Sequence, residues 1–207
     1  MTPLTPGSAD ALLFDLGRVV LDVDFKRAMA CWAGHGKCEL ADIAARFAAD
    51  DMVRQYEAGK IDDAAYFAHL RGMLGIDITH EQWLEGWNAI FIGEMPGIAA
   101  LLERAAKKLP LYALSNTNPP HIAHFTAAYA GVLGHFREIY LSSTIGLLKP
   151  DAAAYDHAVR AIGAPASRVV FFDDLADNIA GARAYGLTAV HVKSSEDVAD
   201  ALNALGI

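Results

Sequence analysis

An unbroken apolar run that stops on a carboxylate is the feature that most limits what this chain can become. Leu12, Leu13 and Phe14 leave no solvated face, so the run reads as a strand buried on both sides, as in a parallel sheet. Asp15 ends it and Gly17 follows, within the stretch LLFDLGRVVLDVDF at residues 12–25. A carboxylate at the carboxyl end of such a strand, followed by a glycine turn, stands where open α/β sheets place their ligands. Taken alone, Asp-x-Gly is equally an ordinary strand end and turn.

The same grammar recurs later in the chain. Residues 111–114 form an apolar run that ends in Ser115 and Asn116, ahead of Pro119 and Pro120. Residues 138–141 read as a strand leading to a loop that carries Lys149, with Asp151 placed to cap the helix that follows to Ile162. Residues 169–172 are a further buried strand, ending in Asp173 and Asp174, and residues 187–192 are the last. Helical patterns at 97–108, 121–130, 176–185 and 195–205 separate these runs. Strands alternating with helices imply right-handed crossovers and a parallel sheet. Parallel strands point the same way, so Asp15, Ser115, Asn116, Asp173 and Asp174 converge on one edge, and Lys149 arrives there on its loop. Carboxylates, a hydroxyl, an amide and one cation suit a divalent metal together with a phosphate.

Between residues 25 and 92 the texture changes to short helical patterns. Apolar positions at near-helical spacing include Phe25, Met29 and Trp32, then Leu40, Ile43 and Phe47, then Tyr66, Phe67 and Leu70. Thr79 and Gln82 have the form of a capping box, opening a helix with Trp83, Trp87 and Ile90. The segment reads as a helical insertion between the first two strands of the sheet, and its position beside Asp15 suggests a lid. Residues 1–10, rich in Pro, Gly, Ser and Thr, read as a loose leader with no signal-peptide pattern.

Composition narrows the function. A hydrophobic content of 54% supports a sizeable core, and a net charge of −8 argues against nucleic-acid and membrane-surface partners. A small anionic substrate needs only local donors. Cys31 and Cys38, without CxxC spacing, read as ordinary thiols of a reducing compartment. The expected protein is soluble, cytoplasmic and monomeric.

With four motifs in order at strand ends and a helical insert after the first, the chain resembles the haloacid dehalogenase superfamily of hydrolases. FDLGRVVLDVDF, the LSNTN stretch and FFDDLADNIAGA look most like the bacterial phosphatases of alpha-D-glucose 1-phosphate. The resemblance implies a Rossmann-like, three-layer α/β/α core at residues 1–24 and 93–207 with a helical cap at 25–92. It further implies an Mg²⁺-dependent phosphatase of small phosphorylated metabolites, sugar phosphates foremost. Asp15 would be the nucleophile, forming an aspartyl-phosphate, and a metal ligand. Gly17 would lend its carbonyl to the metal and Asp174 its carboxylate, with Asp173 and Asn178 supporting them from behind. Ser115 and the Asn116 amide would hold phosphoryl oxygens, and Lys149 would neutralise charge on the nucleophile and the phosphoryl group. Each of these residues alone also fits a turn, a cap or a solvated loop. Together they favour a site.

Three positions depart from the family pattern. Gly17 stands where phosphatases of this superfamily usually carry a second aspartate as general acid and base, a role worth roughly 10²–10⁴-fold. Either the leaving group needs little protonation, as an anomeric oxygen does, or Asp173 or a cap group serves, or activity is lost. Arg18 replaces a more usual Asn or Gly, and Leu148 a basic residue. Gly17 also keeps open a metal-free 2-haloacid dehalogenase, against which the Asp173-Asp174 pair speaks, and a non-catalytic binding protein. Cap residues facing Asp15 would set specificity. Trp32, Glu57, His69 and Trp87 are candidates that read equally well as packing or surface groups.

Overall fold

The computed structural model describes residues 3–48 and 50–207. Among these the elements in chain order are β1 (Ala11–Phe14), β2 (Leu21–Val23), α1 (Phe25–Gly36), α2 (Leu40–Arg46), α3 (Asp51–Glu57), α4 (Asp63–Leu74) and α5 (His80–Asn88). There follow β3 (Phe91–Glu94), α6 (Ile98–Ala106), β4 (Leu111–Ser115), α7 (Pro119–Ala128), α8 (Ala130–Leu133) and β5 (Glu138–Leu141). The chain closes with α9 (Ser142–Ile145), α10 (Ala152–Ile162), β6 (Val169–Asp173), α11 (Ala176–Tyr185), β7 (Thr188–His191) and α12 (Ser195–Ala204).

Five strands make one parallel sheet in the order β5-β4-β1-β6-β7. The chain builds outward from β1 on one side, then returns to build the other, so the order reverses at β1. That reversal is the switch point at which α/β sheets form a ligand crevice. Successive side chains of a strand face opposite layers. Leu12 and Phe14 of β1 join Leu102 of α6, Phe125 of α7 and Leu202 of α12 in one core cluster. Ala11 and Leu13 join Tyr155 of α10 and Ile179 of α11 in the other. Phe14 stacks on Phe172 across the register of β1 and β6, centroids 4.5 Å apart. The fold is thus the expected three-layer α/β/α sandwich.

Helices α1 to α5 enclose a third core around Trp32, Trp83, Trp87, Tyr56, Tyr66 and Phe67. The Thr79–Gln82 capping box forms as expected. At Gly86 a Cβ would overlap the Trp32 indole, so only glycine lets α5 lie this close to α1. Two features of this half are new relative to the sequence. One is α3, seven residues long. The other is an antiparallel ribbon of β2 on β3, which runs across the expected segment boundary near residue 92.

The leader differs from expectation over its described part. Ala9 is buried in the sheet core, the Thr5 N–H donates to Ser8 Oγ at 3.1 Å, and Arg168 Nη2 donates to Gly7 O and to Asp10. An ion pair at its end and an apolar anchor hold it down. Asp151 also departs: it stands at the N-cap of α10, but its carboxylate accepts from Arg54 Nη2 at 2.7 Å and makes no cap bond. Cys31 and Cys38 are free thiols. Cys31 does have polar company, because His35 lies one helical turn on and pairs with Glu85 at 2.9 Å. No helix among the described residues is long and apolar enough to cross a membrane.

Candidate active site

The site is built at the carboxyl edge of the sheet by the parallel register. The Asp15 N–H donates to Phe172 O at 2.8 Å, extending the β1–β6 ladder by one residue and setting Asp15 beside the end of β6. Ser115 ends β4 on the other flank. The loop before α10 delivers Lys149, whose backbone is clamped by the Asn116 carboxamide. Asn116 Nδ2 donates to Lys149 O at 2.9 Å, and Lys149 N donates back to Asn116 Oδ1 at 3.0 Å.

Lys149, only 2% exposed, places Nζ 2.8 Å from Asp15 Oδ1 and 2.7 Å from Asp173 Oδ2. Asp173 is fully buried and its oxygens are taken. Oδ1 accepts from Leu175 N at 2.8 Å, and Asn178 Nδ2 reaches both oxygens at 3.0 Å. Asp173 is therefore an anchor for the ammonium, not a free carboxylate. A lysine buried with two hydrogen-bonded carboxylates stays charged: its neighbours raise its pKa although burial alone would lower it.

Carboxylate oxygens of Asp15, Asp173 and Asp174 lie within 4.8 Å of one another. Asp174 is partly exposed, and its nearest cation is Arg18, with Nε at 3.8 Å. Asp15 and Asp173 share one buried ammonium and Asp174 has only the longer contact with Arg18, which leaves excess negative charge. Burial first of all, with Asp173 and Asp174 adding to it, pushes Asp15 up to about 7 against the pull of Lys149. Burial and Asp173 raise Asp174 likewise. Asp15 Oδ1 is engaged by Lys149 and by Leu16 N at 2.8 Å.

A cavity of about 210 Å³ opens above this cluster, lined by Asp15, Gly17, Ser115, Asn116, Lys149 and Asn178 on the sheet side. Its other walls are Leu21, Val23, Phe25, Ile90 and Phe91, with Glu57 and His121. Asp174 lies in the adjoining cleft, which Asp15 and Gly17 also line. All eight residues singled out in the sequence thus gather here. Of the four candidates on the helical segment, Glu57 alone lines the 210 Å³ cavity. Trp32 and Trp87 are packed inside the helical core, and His69 Nε2 lies 2.6 Å from Asp50 Oδ2.

Sequence reading missed Ser142, Asn118 and His121. Ser142 Oγ accepts from Thr117 N at 2.8 Å and donates to Thr117 O at 3.1 Å, fixing the loop after β4. His121 Nε2 donates to the Trp87 carbonyl at 2.9 Å and Nδ1 accepts from Asn118 at 3.1 Å. Burial pushes this imidazole down to about 4, so it is neutral. None of the three ends an apolar run; Asn118, ahead of two prolines, is the most discoverable as a helix cap.

Comparison with known proteins identifies the family. The family profile of the haloacid dehalogenase-like hydrolases matches residues 9–186. A D-ribitol-5-phosphate phosphatase of Bacteroides thetaiotaomicron is 24% identical over 177 residues, covering 81% of this chain and 84% of the relative. An enolase-phosphatase E1 of a Bradyrhizobium species is 32% identical over 162 residues, covering 78% of this chain and 69% of the relative. A haloacid dehalogenase family enzyme of Bacteroides thetaiotaomicron, solved with magnesium and inorganic phosphate, superposes with a TM-score of 0.78 at 26% identity, covering 90% and 95% of the two chains.

Proposed function

Because this chain belongs to the haloacid dehalogenase-like hydrolases, we propose that it is an Mg²⁺-dependent phosphatase of small phosphorylated metabolites, working through an aspartyl-phosphate on Asp15. The observation that carries the reading is the Lys149 ammonium held between Asp15 and a fully committed Asp173, at the floor of a cavity on the sheet edge.

The donor set fits a hard divalent cation. Asp15 and Asp174 are close, oxygen-bearing and short of positive charge, whereas Asp173 is fully occupied by hydrogen bonds. Asp15, Asp174 and the Gly17 carbonyl would hold Mg²⁺. When bound, the metal supplies the charge that keeps Asp15 ionised and offsets that of the phosphoryl group. A carboxylate attacking a phosphate dianion faces like-charge repulsion, and phosphoryl transfer depends mainly on positioning and electrostatics. Lys149 lowers that repulsion from the other side. Ser115 offers its hydroxyl to a phosphoryl oxygen, and Asn116 its backbone N–H, its carboxamide being engaged with Lys149. Asn178 and Asp173 keep Lys149 in place. Residues 1–24 and 93–207 form the catalytic core, 25–92 the cap, and the protein acts as a monomer.

Sugar phosphates are the substrate class of choice, glucose 1-phosphate from the motif resemblance and ribitol 5-phosphate from the activity of the Bacteroides relative. The test is phosphate release from a panel containing both, with Mg²⁺, with EDTA, and with Asp15→Asn. Release that needs Mg²⁺ and disappears in Asp15→Asn is expected. Turnover of 2-haloacids without metal, with no phosphate release, would overturn the reading in favour of a dehalogenase.

A further inference from the structure

We propose that Glu57, on the cap, is the group that gives a proton to the leaving-group oxygen and then takes one from the attacking water, the task that Gly17 leaves open. The inference rests on the phosphatase reading and adds a catalytic residue to it.

The cavity selects Glu57 by elimination. Its ionisable lining side chains are Asp15, Glu57, His121 and Lys149. Asp15 is the nucleophile, and Lys149 is a cation pinned to two carboxylates. His121 has both ring nitrogens in hydrogen bonds. Asp173, beneath the cavity, has no free oxygen. Among the described residues, no side-chain hydrogen bond or ion pair engages the Glu57 carboxyl, and Glu57 lines the same cavity as Asp15, Ser115 and Asn116.

The chain on both sides of Glu57 is clamped to the core. Three residues before it, Arg54 holds Asp151 at 2.7 Å. Two residues after it, Gly59 has φ +67° and lies so close to Ser143 O that any Cβ would clash. Both contacts place Glu57 beside the segment that carries Lys149. Burial raises its carboxyl to about 7, opposed by Lys149 and Arg54, so both protonation states are accessible at neutral pH. The charged and titratable groups around it are Lys149 and Asp15, which line the same cavity, Arg54 on its own helix, and Tyr66 of α4, whose phenol is pushed up by burial first and then by the Glu57 charge.

In the first step an Asp15 oxygen bonds to phosphorus as the ester P–O bond breaks. Its electron pair goes to the leaving oxygen, which takes the Glu57 proton and departs as an alcohol. In the second step the water oxygen bonds to phosphorus while Glu57 takes one of its protons. The P–O pair returns to Asp15, hydrogen phosphate leaves, and Glu57 is again protonated.

The test compares Glu57→Gln with the parent enzyme, in Mg²⁺, on glucose 1-phosphate and on 4-nitrophenyl phosphate, whose leaving group needs no proton. Steady turnover is expected to fall about 10²–10⁴-fold on both. The variant should still release one equivalent of nitrophenolate per site in a burst at close to the parental rate, because only its second step is impaired. On glucose 1-phosphate the alkaline limb of kcat/KM near neutrality should vanish. Unchanged turnover, or a burst lost together with turnover, would overturn the assignment while leaving the phosphatase intact. A parent enzyme inert on every ester would overturn both. Should Glu57→Gln fail to fold, Glu57→Asp decides: a lowered kcat with a displaced alkaline limb supports the proposal, and parental values of both overturn it.

Discussion

Arg18 sits three residues past Asp15 with φ 58°, in the left-handed region that glycine and asparagine adopt readily and other residues do not. Its N–H must donate to Leu21 O at 2.7 Å to close the turn into β2, so the backbone has no alternative. The departure noticed in the sequence is thus a backbone matter: a residue with a Cβ occupies a place built for one without. Relief of about 1–2 kcal/mol, less the roughly 0.5–1 kcal/mol that glycine costs in chain entropy, predicts that Arg18→Gly stabilises the protein by about 0.5–1 kcal/mol. Its exposed, 3.8 Å contact with Asp174 offsets little of this. A denaturation midpoint at or below the parental one would refute the prediction. At the same scale, Asp15 and Asp174 were legible because strand ends declare themselves, and Lys149, on a loop, through the motif resemblance. The Asn116 carboxamide's clamp on Lys149 and the Lys149–Asp173 bond were not, because they join residues 33 and 24 positions apart in the chain.

Elements were legible in proportion to their length and burial. Buried strands such as β1 and β6 announce themselves by composition, and α5 by its capping box. The seven-residue α3 spans less than two full turns, too short for a period to show, and owes its place to Arg54, Tyr56 and Gly59 docking on their neighbours. Strands β2 and β3 are three and four residues long and half-buried, and no alternation can be read from so little. The contact of α5 with α7 likewise depends on partners distant in sequence. Trp87 Nε1 donates to Asn118 Oδ1 at 2.9 Å, and His121 stacks on the Trp87 ring at 4.9 Å. This joint is sensitive to acid. His121 is held at about 4 when folded against an ordinary value of 6.5, so the unfolded chain binds more protons between those pH values. Its contribution is therefore complete above pH 6.5 and is lost as the pH falls toward 4, by roughly 3 kcal/mol. His121→Asn, which does not titrate, should be the less stable protein at pH 7.5, and the gap should close on acidification. A gap independent of pH would show that the imidazole does not titrate as described.

For the whole molecule, the crowding of three carboxylates around one ammonium ties stability to cation binding. A ligand that binds only the native state adds about 2.7 kcal/mol at one hundred times its Kd. For a domain of this size that corresponds to an increase in Tm of about 5–10 °C. Mg²⁺ is expected to raise the Tm in this manner, and Asp174→Asn to abolish the response without lowering the Tm of the metal-free protein. An equal Mg²⁺ response in that variant would place the cation elsewhere. The β2–β3 ribbon has a different consequence. Leu21 pairs with Glu94, and the Asp24 N–H donates to Ile90 O at 2.9 Å, so the five helices begin and end side by side. Seen from the sheet, everything between those two residues has the span of a hairpin turn. The insert is a cassette: one of another length or shape bridges the same gap while the strand ends bearing Asp15, Ser115 and Asp173 keep their places.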